Sequence, residues 1–182
     1  MKSINVVLMS LMFIGLVAGC GGASGSGSSS SKISGETYST DAMSVLVPTG
    51  WKAFPFYKNG NVDDVNPNEI GIHKGAKEAY DMSHTPGMTL YFRPNQSTTS
   101  FGKTYYEDVA DMEPFTTGDL RWEGFTGKMQ IGYGDKRSAV AAIWTSVGND
   151  MFQAFIWLEM DDSKITLNDA DVKTILASIV KK

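Results

Sequence analysis

The stretch Met151-Phe152-Gln153-Ala154-Phe155-Ile156-Trp157-Leu158-Glu159-Met160 decides the architecture. Successive side chains of a strand point to opposite faces. Phe152, Ala154, Ile156, Leu158 and Met160 therefore make one wholly apolar face, and Met151, Phe155 and Trp157 stand on the other beside Gln153 and Glu159. A strand apolar on both faces is covered on both, so the segment predicts a central sheet strand with a further layer on each side.

Working outward, residues 138–147 and 120–133 read as two more strands leading into it, the second with a break expected at 124–127, where Gly124 and Gly127 stand. Met43, Val45 and Val47 alternate with Ser44 and Leu46 up to a turn at Pro48-Thr49-Gly50. Ile70 and Ile72 alternate with Glu69, Gly71 and His73, and Met88, Leu90 and Phe92 with Thr89, Tyr91 and Arg93. Residues 59–68, rich in Asn and Asp with Gly60 and Pro67, read as a long loop. Two segments carry helical spacing. Phe101, Tyr105, Val109 and Met112 predict a helix over 100–112 capped by Thr99 or Ser100. Val172, Ile175, Leu176 and Ile179 predict another over 168–180, with Asp169 and Asp171 in its first turn and Asn168 as cap. The fold class expected is α+β, an antiparallel sheet with helices packed on its faces.

The chain opens differently. Lys2 precedes an apolar run from Ile4 to Leu16 that ends in Leu16-Val17-Ala18-Gly19-Cys20. That run is too short for a bilayer, which needs about 20 residues, and has the layout of a secretory signal. Residues 21–31 contain only Gly, Ala and Ser, a composition that stays a flexible coil. The organisation expected is a signal at 1–19, a tether at 20–35, and one globular domain at 36–182, long enough to fold without a metal or disulfide staple. Cys20 is the only cysteine, which excludes an intramolecular disulfide and any thiolate site in the domain. Sixteen basic residues against twenty acidic ones give a net charge of −4, with the basic residues scattered. Nothing in that pattern suits nucleic acid.

The segment ending at Cys20 closely resembles the lipobox of bacterial lipoproteins. The resemblance implies that Cys20 receives diacylglycerol and becomes the first mature residue, so that the domain hangs from a membrane on its extracytoplasmic face. Two chains hold firmly, since each buried methylene contributes about 0.8 kcal/mol while a single chain binds only reversibly. From 36 to 182, a strand entering Val47-Pro48-Thr49-Gly50-Trp51, a Trp122-Glu123-Gly124 segment leading into a meander, and a closing Ile175-Leu176-Ala177-Ser178-Ile179 resemble the Mog1/PsbP-like superfamily. That resemblance implies an α/β/α sandwich around an antiparallel sheet. Members of the superfamily include a binder of a small GTPase and an extrinsic subunit of photosystem II, neither of them an enzyme. The matching motifs are structural and carry over no functional residue.

Candidates for chemistry are few. His73, on the outward phase of a strand, and His84, in a loop before Pro86, are the only histidines, and a zinc site would want a third ligand. Solvent exposure of both is the reading. No Gly-x-Ser-x-Gly elbow presents a serine. The run from Asn59 to Glu69 offers hard oxygens for calcium, yet its sixth position is Asp64 where a calcium loop has glycine, and its glutamate comes one residue early. No catalytic residue, metal or cofactor is assigned. Trp144 and Trp157, on neighbouring strands, are read as lining one groove and as the binding residues. The function expected is a non-catalytic, membrane-anchored lipoprotein that docks a protein partner in the cell envelope or a small ligand. The alternative is an envelope hydrolase or metal-dependent enzyme.

Overall fold

A computed structural model describes residues 33–131 and 135–182. The expectations for the signal, for Cys20 and for most of the tether fall outside the described residues, as does Tyr133 at the end of one expected strand.

The alternation in the sequence becomes strand almost everywhere. In chain order the strands are β1 (Gly35–Ser39), β2 (Met43–Pro48), β3 (Trp51–Tyr57), β4 (Val65–Lys74), β5 (Gly87–Arg93), β6 (Glu107–Asp111) and β7 (Phe115–Thr117). There follow β8 (Leu120–Gln130), β9 (Arg137–Val147), β10 (Asp150–Trp157), β11 (Glu159–Met160), β12 (Ser163–Lys164) and β13 (Val180–Lys181). One α-helix occurs among the described residues, α1 (Ala170–Ala177), between β12 and β13. The main sheet has the order β3-β4-β5-β10-β9-β8-β6, with β7 also paired to β8, and every pairing is antiparallel. β1, β2 and β13 form a second, small sheet.

β10 is central, paired to β5 and β9, as its two apolar faces require. Its first face, Phe152, Ala154 and Ile156, joins Ile70, Ile72, Leu90, Ile143 and Trp122 in one core with Val45 of β2 and with Val172, Ile175 and Leu176 of α1. That layer is where the helix and the small sheet sit. Trp51 is part of it, donating its indole N–H to Asp171 Oδ2 at 3.0 Å and so tying the start of β3 to the first turn of α1.

The second face is covered, but by chain without a helix. Residues 100–112 are not helical: a 3-10 turn over Lys103–Tyr105 leads into β6. The segment is poor in helix formers, with Gly102, Thr104, Tyr105, Tyr106 and Val109, and the free edge of β8 supplies a strand partner. Phe101 and Tyr106 point to the sheet while Tyr105 is 78% exposed, which is not the stripe expected of a helix. The sandwich with helices on both faces is accordingly replaced by a helix on one face and a crossing segment on the other.

Smaller differences have local causes. β8 runs unbroken through Gly124 and Gly127, because those glycines admit close neighbours. A Cβ on Gly124 would lie 2.3 Å from the Ala142 carbonyl oxygen, and one on Gly127 would lie 3.2 Å from Tyr106 Cβ. The expected loop at 59–68 is shorter, since β4 begins at Val65. The expected last strand stops at Trp157, with Met160 in the separate β11. Asp169, in place of the expected Asn168, holds the N-cap position of α1 with its carboxylate turned to Thr166, and the helix ends at Ala177, where Ser178 donates to Ile175 O and accepts from Leu46 N at 2.9 Å. β1 starts at Gly35, inside the stretch read as tether.

Candidate functional site: the second face of the sheet

The register places Glu69, Gly71 and His73 of β4, Gly87, Thr89 and Tyr91 of β5, Gln153, Phe155 and Trp157 of β10, and Trp144 of β9 on one face. An aromatic row runs across it. Trp144 meets Phe125 at 6.3 Å between ring centroids, and Phe125 meets Tyr106 at 5.0 Å. Tyr106 meets Phe155 at 6.2 Å, and Phe155 meets Trp157 edge-on at 5.0 Å. Phe101 lies between Phe155 and Tyr91.

The crossing segment is pinned to this face by a polar contact. Gln153 is fully buried in β10, its Oε1 accepting from Ser100 Oγ at 2.8 Å. Burial pushes the Tyr91 phenol above its ordinary range, with the Glu69 carboxylate acting in the same sense.

Trp144 and Trp157 share this face but not one groove. Trp144 stands opposite Gln153 and Trp157 opposite Val140, four residues along the strands, or about 13 Å. Trp144 borders an open hollow of about 530 Å³ with Thr98, Asp119, Arg121 and Glu123. Trp157 borders a hollow of about 360 Å³ at the other end of the row. The two differ from the other tryptophans in one respect. Trp51 and Trp122 donate their indole N–H to Asp171 and to Thr117 Oγ1. Those of Trp144 and Trp157 have no hydrogen-bond partner among the described residues.

The hollow at Trp157 also contains His73, which the sequence reading placed in solvent. It is 3% exposed. Its side chain turns onto the second face, under the 3-10 turn Ala79–Ser83 and Thr85, a position that strand phase alone does not disclose. The imidazole Nδ1 lies 2.9 Å from the Thr85 carbonyl oxygen, so it carries the proton and donates. Burial holds His73 below the ordinary histidine range, against the opposite pull of that carbonyl. The missed signal was glycine. A Cβ on Gly87 would stand 2.6 Å from His73 Cγ, and one on Gly71 would stand 2.8 Å from Met82 Sδ. Two side-chain-free positions thus make room for His73 and Met82.

The remaining candidates lie apart. His84 is exposed and pairs with Asp161 Oδ2 at 3.2 Å, while the adjacent Ser83 hydroxyl donates to the Tyr80 carbonyl. Three Asn and Asp side chains of residues 59–68 serve local contacts: Asn61 Oδ1 accepts from Asp63 N, Asn66 Oδ1 from Asn68 N, and Asp64 pairs with Lys58. No group of three or more His, Cys, Asp and Glu that could hold a metal occurs among the described residues. No helix among them is long and apolar enough to cross a membrane.

No protein-family model and no curated protein matches the chain. Among solved structures it is similar to a protein of Bacteroides thetaiotaomicron VPI-5482, with a TM-score of 0.51 at 11% identity over 81% of this chain. That likeness spans 48% of the other protein's length and shows the fold alone. It is also similar to cyanobacterial PsbP (CyanoP) from Synechocystis sp. PCC 6803, with a TM-score of 0.46 at 14% identity over 87% of this chain and 98% of that one.

Proposed function

We propose that the chain is a non-catalytic lipoprotein of PsbP-like architecture, anchored through Cys20 to the extracytoplasmic face of a membrane, whose domain binds a small ligand on the second face of its sheet, in the hollow beside Trp157. The observation that carries the reading is the contrast among the tryptophans. Buried indoles find a hydrogen-bond partner; Trp51 and Trp122 have one, while Trp144 and Trp157 hold theirs open at the two ends of an aromatic row. Ligand sites are largely apolar concavities with a few convergent polar groups. The Trp157 hollow, with Phe56, Met82 and Met160 around the buried His73, has that composition.

The rival reading, an envelope hydrolase, would draw on His84 and Asp161. Their exposure, and the commitment of the Ser83 hydroxyl to a backbone carbonyl, favour the binder. Native mass spectrometry of the full chain extracted in detergent from the cells that make it tests the proposal. A bound mass beyond the lipid, present on the wild type and lost from Trp157→Leu, supports it. A bare protein, or the same adduct on both, overturns it.

A further inference from the structure

We infer that the hollow beside Trp157 takes an uncharged aromatic alcohol of the phenol class, whose hydroxyl donates to His73 Nε2 while its ring lies in the apolar part of the hollow. The inference rests on reading that hollow as the ligand site and names the class of the ligand.

The lining excludes charge. Among the described residues no Asp, Glu, Lys or Arg borders this hollow, whereas Asp119, Arg121 and Glu123 border the one at Trp144. His73 is the histidine of the lining, and burial holds it below the ordinary histidine range, so the ring is neutral at neutral pH. An ionised ligand entering here would give up its water and meet no opposite charge.

The histidine asks for a donor. Its Nδ1–H is donated to the Thr85 carbonyl at 2.9 Å, which leaves Nε2 of the neutral ring as an acceptor. Nε2 has no hydrogen-bond partner among the described residues. Every side-chain nitrogen or oxygen sealed from solvent among them does have one. Nε2 therefore keeps open surface, and His73 borders the hollow although the residue is only 3% exposed. Displacing water from that lone pair is unfavourable unless the ligand brings a donor of its own.

The rest of the lining suits an aromatic ring. His73, Gly87 and Trp157 form one cross-strand row with the imidazole over the glycine, so no side chain of β5 stands between the histidine and the tryptophan. Phe56 and the Met82 sulfur share the space over Gly71, two residues before His73 on the same face. Aromatic rings pack offset or edge-on against one another, and thioether sulfur makes favourable contacts at ring edges. The hollow, about 360 Å³, is near the lower end of the usual range for ligand sites, about 300–1,000 Å³, and so fits a small ring system. A phenol combines such a ring with an O–H donor and, with a pKa of about 10, stays uncharged at neutral pH.

The test holds the ¹⁵N-labelled full chain in detergent and sets the free probe concentration by equilibrium dialysis, so that uptake of probe by micelles does not enter the affinity. Para-cresol shifts the Trp157 indole signal saturably while those of Trp51 and Trp122 stay fixed. Para-methylanisole, which has the same ring and oxygen but no O–H proton, binds weaker by about fivefold or more, and para-toluate does not bind. His73→Phe, which keeps a flat ring in place and removes the acceptor, binds the cresol and the anisole alike. Equal affinity of the wild type for cresol and anisole, or binding of the toluate, overturns the inference without need of a variant. A folded His73→Phe that still prefers the cresol overturns it too. If para-cresol fails to bind while the native adduct still depends on Trp157, the ligand class is wrong and the ligand site stands. If neither binds, both readings fall.

Discussion

The imidazole of His73 lies in the space above Gly87, its strand partner: a Cβ on that glycine would stand 2.6 Å from His73 Cγ and 2.5 Å from the Ile72 carbonyl oxygen. Gly71, by contrast, faces the end of a flexible side chain, Met82 Sδ at 2.8 Å. The two glycines therefore differ in what an added methyl must displace. Gly87→Ala forces backbone apart and costs about 1–3 kcal/mol, the usual range for overpacking, whereas Gly71→Ala meets side chains alone, Met82 Sδ and the edge of the Phe56 ring at 3.2 Å, and costs less. Urea unfolding of the two variants checks the order. Equal stabilities would show that His73 does not rest on Gly87.

Ser100 fixes the crossing segment through Gln153. Ser100→Ala leaves the fully buried Gln153 Oε1 without its hydrogen bond, at a cost of about 1–3 kcal/mol. Amide exchange over residues 99–106 rises with little change in the β10 core, and mass-resolved hydrogen exchange reads both.

Asp150 ties the start of β10 to β13 and to the turn after β5. Lys181 of β13 and the N–H of Asn95, which adopts φ 55°, hold its carboxyl below the usual range, against the opposing effect of burial. A carboxylate with a lowered folded pKa stabilises the native state fully above its unfolded value of about 3.9, and that contribution fades as pH falls through the lower folded value. Asp150→Asn is thus less stable than the wild type at pH 6, and the gap narrows toward pH 3. A gap independent of pH would remove the ion pair from the account.

Much of this was legible in the sequence, for reasons that particular residues show. Alternation in 43–47 and 88–93, and the run apolar on both faces at 151–157, marked strands, and one face of each meets the α1 core. The stripe Val172, Ile175, Leu176 found the helix because those positions alone are buried in it. Phe101 and Tyr105 misled because helical spacing also arises by chance where a chain crosses a sheet obliquely. There the edge of β8 decides, and no local pattern reports an edge. β1, β3, β7 and β13 escaped notice because a short edge strand needs only one pairing partner and no periodic burial. At the site, Trp144 and Trp157 were grouped because they lie on neighbouring strands, but both their shared face and their separation depend on register. The burial of His73 depends on two glycines and a turn that only the fold brings together.

The anchor is testable apart from the domain. Cys20→Ser leaves an unprocessed precursor or releases the protein into the soluble fraction, and fractionation with palmitate labelling reads the outcome. A variant processed and membrane-bound like the wild type contradicts lipidation at Cys20.

The central claim is that the open indoles of the second face, unlike those of the core, are where ligand binds. Four indole N–H signals in the ¹⁵N-labelled full chain, one for each tryptophan, report on it directly. When the small-molecule extract of the producing cells' envelope is added, the account predicts that the Trp157 signal shifts while those of Trp51 and Trp122 stay fixed. A stationary Trp157 signal, or equal shifts of all four, contradicts it.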